Sequence, residues 1–293
     1  MTSTELAADP AGVSREELDR LVGGVHHDPH SLLGLHPVRL SEPEPPGPVA
    51  SATSGPDAID QAAAAAASVP PLPGGAVPPA NGTNGTTTAT GTAPGTGAVE
   101  LDSGADPQPP VPGRLVVRTL RPDARAVTAV FGDRRHELEQ VHPAGVFAAV
   151  VPGPVSDYRL EVAYPTEGGG AETLTVDDAY RWLPTLGEID LHLISEGRHE
   201  RLWDALGAHV RTYDTPHGPV SGTSFAVWAP NARGVRVTGD FDYWQSRAYP
   251  MRSLGSSGVW EIFVPGVVPG AKYKFSILGQ DGQWRDKADP MAF

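Results

Sequence analysis

The chain has 293 residues, contains no cysteine and carries a formal net charge of −13. Without cysteine it can form neither disulfides nor cysteine-ligated zinc sites, and its acidic balance argues against a nucleic-acid-binding surface, which carries clustered lysine and arginine. The polar N-terminus lacks the apolar segment of a secretory signal, and no window is apolar enough to span a membrane. We therefore expect a monomeric, cytoplasmic protein with no nucleic acid and no membrane as partners.

A short helix is the first predicted element. Ser14 and Glu17 have the spacing of a capping box, and the apolar residues of 18–22 share one helical face before Gly23 ends the run. Such a short helix is unstable alone in water, so it must dock on another part of the protein. We assign residues 1–40 to this helix and to the first strand region of a first β-module.

Residues 41–112 differ in composition from the rest of the chain. Proline, glycine, alanine and threonine dominate this segment, and large apolar side chains are almost absent. A segment of this kind cannot bury enough surface to offset its chain entropy. We expect a long disordered insertion in a surface loop, without chemistry of its own.

Two regions that follow have the alternation and turn residues typical of short β-strands. We assign residues 113–185 to a first β-sandwich module, 186–215 to a helical linker and 216–293 to a second module. Strands are predicted at 115–119, 127–131, 145–151, 158–162 and 172–176 in the first module, and at 223–228, 235–239, 259–264 and 272–278 in the second. The predicted fold is all-β: two tandem immunoglobulin-like sandwiches with short connecting helices.

The two β-regions repeat each other. The paired segments are 122–127 with 230–235, 145–153 with 258–266, and 157–160 with 272–275. One supersecondary plan used twice predicts two sandwiches of the same topology. The second copy is longer, and its extra length includes residues 239–245, which carry a tryptophan that the first copy lacks.

Sugar rings are recognised by flat aromatic faces with polar groups at their edges. The second module offers Trp244 in a loop, Lys274 on a strand and Trp284 in a predicted turn. Either tryptophan could instead contact a neighbouring domain, and Lys274 could be an ordinary solvated strand residue. Trp260 alternates with apolar strand residues and is expected in the core. Trp228, which precedes an Ala-Pro pair, is likewise expected to pack inside.

No catalytic centre is predicted. Residues 26–36 contain several histidines and Asp28, but without regular ligand spacing, so turn-making and helix docking are the expected roles and no metal is assigned. Asp177 and Asp178 are neighbours on a predicted strand, and neighbouring strand residues point to opposite faces. Since no phosphate loop or nucleophile–base pattern is present either, we assign no cofactor and no catalytic residue.

Several motifs in order resemble bacterial glycogen branching enzymes. They are 27–36 (His-Asp-Pro-His-Ser-Leu-Leu-Gly-Leu-His), 177–181 (Asp-Asp-Ala-Tyr-Arg), 195–197 (Ser-Glu-Gly), 206–209 (Leu-Gly-Ala-His), 225–233 (Phe-Ala-Val-Trp-Ala-Pro-Asn-Ala-Arg) and 287–290 (Lys-Ala-Asp-Pro). The resemblance implies an N-terminal β-module, a family-48 carbohydrate-binding module and then a catalytic barrel. Ala179 stands where the family usually has proline, and the sequence stops at Phe293, where the family continues into the barrel.

The resemblance also implies site roles. Trp244, Lys274 and Trp284 resemble the sugar contacts of glycogen-binding modules, including that of the AMP-activated kinase β-subunit. By resemblance the two tryptophans stack on glucose units, and Lys274 hydrogen-bonds hydroxyls. The partners implied are α-glucan, or glycogen, and the catalytic barrel. The whole enzyme would transfer an α-1,4-linked segment to a 6-hydroxyl with retention, without a cofactor, whereas this chain alone is expected to be inactive. A stand-alone glycogen-binding protein and a scaffold without sugar affinity stay open as alternatives.

Overall fold

A computed structural model describes residues 6–38, 113–154 and 157–292. The insertion expected at 41–112 lies outside these residues, and no helix among them is long and apolar enough to cross a membrane. The α-helices are α1 (Arg15–Val22), α2 (Glu188–Ser195) and α3 (Leu202–Ala205). Single 3₁₀ turns lie at Pro29–Ser31, Ala179–Arg181 and Asp240–Asp242. Ser14 caps α1 as expected, since its hydroxyl accepts from the amide of Glu17 at 3.2 Å.

Strands make up most of the secondary structure of the described residues. They are β1 (Gly34–Pro37), β2 (Arg114–Leu120), β3 (Ala126–Phe131), β4 (Arg134–His142), β5 (Val146–Pro152), β6 (Arg159–Pro165), β7 (Ala171–Val176), β8 (Gly207–Thr215), β9 (Gly218–Trp228), β10 (Gly234–Gly239), β11 (Arg252–Ser253), β12 (Val259–Pro265), β13 (Tyr273–Leu278) and β14 (Trp284–Lys287). We call β1–β7, together with α1 and the turn that follows it, the first module, and β8–β14 the second.

The first module is a sheet that folds over on itself at β4. Its strand order is β1-β2-β5-β4-β3-β6-β7, with the first part of β4 paired to β3 and the last part to β5. Side chains from β2 and β5 pack against side chains from β3 and β6, and the buried set includes Val117, Phe147, Val127 and Leu160. These two faces enclose the core of a sandwich.

The second module repeats this order in two separate sheets, β8-β9-β12-β11 and β10-β13-β14. The corresponding halves of the first module are β1-β2-β5-β4 and β3-β6-β7, so the prediction of one topology used twice is confirmed. The all-β fold is confirmed as well. Phe225 and Ile262 from the larger sheet share a buried core with Val237 and Phe275 from the smaller one.

The linker is shorter than expected. We expected it to extend to residue 215, but Gly207–Thr215 forms β8, which pairs with β9 along nine residues. The reason is the β-branched and aromatic content of this stretch, with Val210, Thr212 and Tyr213, which favours a strand over a helix. Helices α2 and α3 occupy only the region before β8, where Leu186 and Ile194 pack on Ala226 and Val259.

A further hydrophobic cluster extends across the two modules. On β2 and β5, the side chains that do not face the first module's interior, such as Val116 and Val146, are buried with Leu21 of α1. The same cluster continues into the interior of the second module through Val235 and Phe225. Helix α1 therefore packs between the strands of the two modules. This packing accounts for the stability of so short a helix.

A buried ion pair ties the N-terminal segment to this core. Arg118 of β2 donates from Nε to Asp9 Oδ2 at 2.7 Å and from Nη2 to Asp9 Oδ1 at 2.8 Å. A third donor, Nη1, reaches the carbonyl of Leu32 at 2.7 Å. Burial alone would raise the pKa of Asp9, but the Arg118 guanidinium holds the pKa below its ordinary value. The bidentate geometry is the strong form of such a pair.

Candidate functional site

The outer face of the sheet β10-β13-β14 brings together two of the three expected site residues. Alternate residues of a strand share a face, as do residues directly opposite each other on paired strands. Lys274 lies opposite Thr238, and Leu278 lies opposite Trp284. Lys274 and Trp284 therefore project from the same face, separated along β13 by four residue steps, from 274 to 278, which is about 13 Å.

The third residue, Trp244, is carried by the loop that follows β10. This loop holds three non-glycine residues in the left-handed region: Tyr243, Trp244 and Ser246, with φ of 54°, 61° and 55°. Non-glycine residues rarely adopt this conformation, and a cluster of them persists only where surrounding contacts enforce it. Backbone strain of this kind is typical of functional loops.

The carboxylate of Asp242 supplies the enforcing contacts. It is buried and accepts hydrogen bonds from the Thr238 hydroxyl at 2.8 Å and from the amides of Gly239, Trp244 and Ser246 at 2.8, 3.1 and 3.1 Å. Charge-assisted bonds from several backbone amides to one carboxylate stabilise a fixed loop conformation. The loop is thus shaped before any ligand arrives.

Trp244 projects from this loop into solvent, with 43% of its surface exposed. Its indole Nε1 donates to Asp240 Oδ1 at 3.1 Å, and the Lys274 ammonium lies 6.0 Å from the ring centroid. An exposed indole with a fixed orientation and a nearby donor meets the requirements for a sugar platform. Sequence reasoning missed the adjacent Tyr243, which is 85% exposed, although its place beside Trp244 in the same loop was visible.

Trp284 has a different environment. It is the first residue of β14 and not part of a turn, and it is partly buried. The Arg236 guanidinium lies 4.3 Å from its ring centroid, which is within the range of a cation–π contact. The indole edge also lies against Gly24, the glycine that follows α1. Both alternatives for this tryptophan therefore have support: Trp284 lies on the same face as Lys274, and it also contacts the first module.

The other two tryptophans of the second module differ in burial. Trp260 is 3% exposed, as expected for a core residue, and its Nε1 donates to the carbonyl of Ala229. The expectation that Trp228 packs inside was wrong, because 54% of its surface is exposed. Trp228 is the last residue of β9, and its Nε1 donates to the Ser257 carbonyl at 3.2 Å.

The histidine-rich segment and the aspartate pair have structural roles. Asp28 caps a 3₁₀ turn through the amide of His30, and His30 itself is buried against the ring of Tyr180. Asp178 is buried and accepts from the Tyr158 hydroxyl at 2.7 Å, whereas Asp177 lies near arginines. Within the described ranges, no three histidine or carboxylate groups are placed to hold a metal ion.

Two sequence families match the two modules. Residues 105–180 match the N-terminal domain of alpha-1,4-glucan branching enzyme GlgB, and residues 205–292 match carbohydrate-binding module 48, the isoamylase N-terminal domain. The first module thus matches a domain of the alpha-1,4-glucan branching enzymes, and the second matches a carbohydrate-binding module. The second match begins at residue 205, close to the start of β8, and thus agrees with the shorter linker.

Relatives in the branching-enzyme family are similar over the same region. The 1,4-alpha-glucan branching enzyme of Frankia casuarinae is 53% identical over 95% of this chain and 25% of its own length. That of Rhodococcus jostii is 60% identical over 63% of this chain and 25% of its own length. The chain therefore spans about a quarter of the relatives it matches. A solved pullulanase from Anoxybacillus covers 60% of this chain at 21% identity, with a TM-score of 0.24.

Proposed function

We propose that this chain is the glucan-holding part of a glycogen branching enzyme. The outer face of β10-β13-β14, with the Trp244 loop beside it, binds α-1,4-glucan. Trp244 stacks on a glucose ring, Lys274 donates to hydroxyls, and Trp284 supplies a further aromatic surface along the same face. The second module's match to a carbohydrate-binding family supports this assignment.

The observation that carries the proposal is the fixed but exposed indole of Trp244. The Trp244 ring is 43% exposed, yet its orientation is fixed by Asp240 and by the Asp242-anchored backbone. Such preorganisation lowers the entropic cost of binding a ligand, which supports a recognition role. Trp228 is more exposed, at 54%, but lies at the end of β9, in the other sheet of the module.

The reaction of the whole protein belongs to the same proposal. By analogy with its relatives, the whole enzyme would cleave an α-1,4-glucan through a covalent glucosyl intermediate and transfer the segment to a 6-hydroxyl. Catalysis would be carried out by a region that corresponds to the part of the relatives that this chain does not span. The two modules would hold the polymer close to that part and so raise the local concentration of chain ends. The same proposal includes that the protein is cytoplasmic and monomeric.

Affinity electrophoresis tests the binding function. The chain is run through native gels with and without glycogen, beside Trp244→Ala and, as a matched control, Trp228→Ala. We expect glycogen to retard the unsubstituted chain and the Trp228→Ala variant, and to retard Trp244→Ala much less. Equal mobility of all three chains with and without glycogen would contradict a glucan-holding role and favour a purely structural function for both modules.

A further inference from the structure

Arg236 connects three parts of the molecule with one side chain. It lies on β10 opposite Ser276, on the same outer face as Lys274 and Trp284. Its Nη1 donates to the carbonyl of Ser246, in the Trp244 loop, at 3.0 Å. Its Nη2 donates to the carbonyl of Val22 at 2.6 Å, and its guanidinium carbon lies 4.3 Å from the Trp284 ring centroid.

The chemistry of arginine suits this position. A guanidinium is planar and always charged, and it presents several donors in fixed directions while stacking on an aromatic face. Val22 is the last residue of α1, so its carbonyl is one of the acceptors that a helix end leaves without an intrahelical partner. A cation at a helix C-terminus is also electrostatically favourable. Lysine could make one of these contacts but not all three.

The turn after α1 packs its backbone directly against Arg236 and Trp284, without an intervening side chain. Gly24 has φ of 71°, and a Cβ atom there would lie 2.7 Å from Arg236 Nε and 2.8 Å from Trp284 Cζ2. Gly234, on β10, faces the Gly24 carbonyl so closely that a Cβ would lie 1.8 Å from the oxygen. The first module's backbone therefore packs directly on the sheet that bears Trp284.

We propose that Arg236 is a positioning residue through which the first module becomes part of the glucan-binding site. The α1 carboxyl end and Gly24 fix Arg236, and Arg236 in turn fixes both the Trp284 ring and the Trp244 loop. The glucan affinity of the second module thus depends on a turn in the first module that does not touch sugar. This inference rests on the proposed function, since it assigns a cause to the affinity proposed there.

Glycine-to-alanine substitutions test it from the first module. Gly24→Ala places a methyl group against the movable ends of Arg236 and Trp284, whereas Gly12→Ala has the same kind of strain, with φ of 76°, and meets no atom within 4 Å. In titrations with maltoheptaose we expect Gly24→Ala to weaken binding by about tenfold and Gly12→Ala to leave it nearly unchanged. The Gly24→Ala effect should largely vanish in an Arg236→Lys background, because Gly24 is proposed to act through Arg236.

A second pair of variants keeps the test independent of the folding of Gly24→Ala. Arg236→Lys retains charge but not the three contacts and should weaken maltoheptaose binding by about tenfold. Arg247→Gln is the control: Arg247 also bridges to the first module, through Asp123 at 2.8 Å, but both side chains are exposed. We expect it to bind normally, since an exposed pair contributes little.

The outcomes separate the two proposals. If the unsubstituted chain does not bind maltoheptaose, the proposed function fails and this inference with it. If the chain binds but Arg236→Lys retains full affinity, the inference alone is overturned and the glucan site stands. A Gly24→Ala effect that is equally large in the Arg236→Lys background would also overturn it, because the effect would then not pass through Arg236.

Discussion

The indole nitrogen of Trp244 donates a hydrogen bond to Asp240 Oδ1 at 3.1 Å, so an exposed ring is held in one orientation. The other carboxylate oxygen of Asp240 accepts from the backbone amide of Lys272 at 3.0 Å, at the start of the strand that bears Lys274. One carboxylate thus joins the aromatic platform to the neighbouring strand. The relative positions of Trp244 and Lys274 are thereby set before a ligand binds.

Lys274 should contribute to affinity through its ammonium group. We expect Lys274→Met, which keeps the length of the side chain, to weaken maltoheptaose binding by about three- to tenfold through the loss of a charged donor. Lys272→Met is the matched control, since Lys272 is also a lysine at this end of the sheet but is not the one that lies over the Trp244 ring. Isothermal titration calorimetry measures both. Equal losses from the two lysines would indicate a nonspecific charge effect.

The Asp242 carboxylate should be necessary for the loop. In Asp242→Ala, the amides of Gly239 and Trp244 lose an acceptor, while the left-handed backbone loses its stabilising contacts. We expect the free energy of unfolding to fall by about 2–3 kcal/mol, with loss of glucan binding. Urea denaturation measures the first effect and gel retardation the second. Unchanged stability in the variant would show that the loop conformation does not depend on this residue.

Removing one partner of the buried Arg118–Asp9 pair should destabilise the protein much more than replacing both partners with apolar residues. Arg118→Met leaves the Asp9 carboxylate buried without its partner, and we expect a loss of about 3–5 kcal/mol. The double variant Arg118→Met, Asp9→Leu removes both charges and should recover most of that loss. Chemical denaturation of the single and double variants measures the coupling. Additive losses would mean that the pair does not act as a unit.

His30 should make stability depend on pH. Burial, with help from nearby Arg252, lowers the pKa of His30 from an ordinary 6.5 to about 3. The unfolded chain therefore binds more protons than the folded chain between these values, so stability should fall as the pH drops from about 6.5 toward 3. Each pH unit in this window costs about 1.4 kcal/mol.

His30→Phe isolates this effect. Phenylalanine keeps a ring for the edge contact with Tyr180, whose centroid lies 5.1 Å from that of His30, but it cannot take up a proton. The pH dependence of the free energy of unfolding should be shallower in His30→Phe than in the parent chain between pH 4 and 6, by about 1.4 kcal/mol per unit. Identical slopes would show that His30 does not remain neutral in the folded state.

Sequence pattern predicted the strands whose apolar residues alternate or run continuously, such as β3 and β12. Among the strands that it missed are β4 and β14, for a physical reason. Strand β4 is mostly charged and polar, and β14 is a short run of Trp-Arg-Asp-Lys, so their pairing depends on neighbouring strands that are distant in sequence. The sequence pattern assigned β8 to the helical linker, because the preceding residues are helical and no glycine or proline cluster separates the two elements.

The candidate site was predicted only in part. Trp244 was visible because a tryptophan in a loop rich in glycine and aspartate is hard to explain as core. Arg236 was not visible, since a single arginine on a strand is usually a solvated residue. Its role depends on the carbonyl of Val22, which is 214 positions away in the sequence. Contacts of such separation leave no local pattern to detect.

The most direct measurement of the central claim is a nuclear magnetic resonance titration with maltoheptaose that follows the indole N–H signals of the six tryptophans. We expect the Trp244 signal to shift most, because its ring is the proposed stacking surface for sugar, and the buried Trp260 signal to stay in place. Trp284 should respond if the glucan extends along β13. Binding that moves the Trp228 signal and leaves Trp244 unchanged, or no shift at any indole, would contradict the assignment of this face as the glucan site.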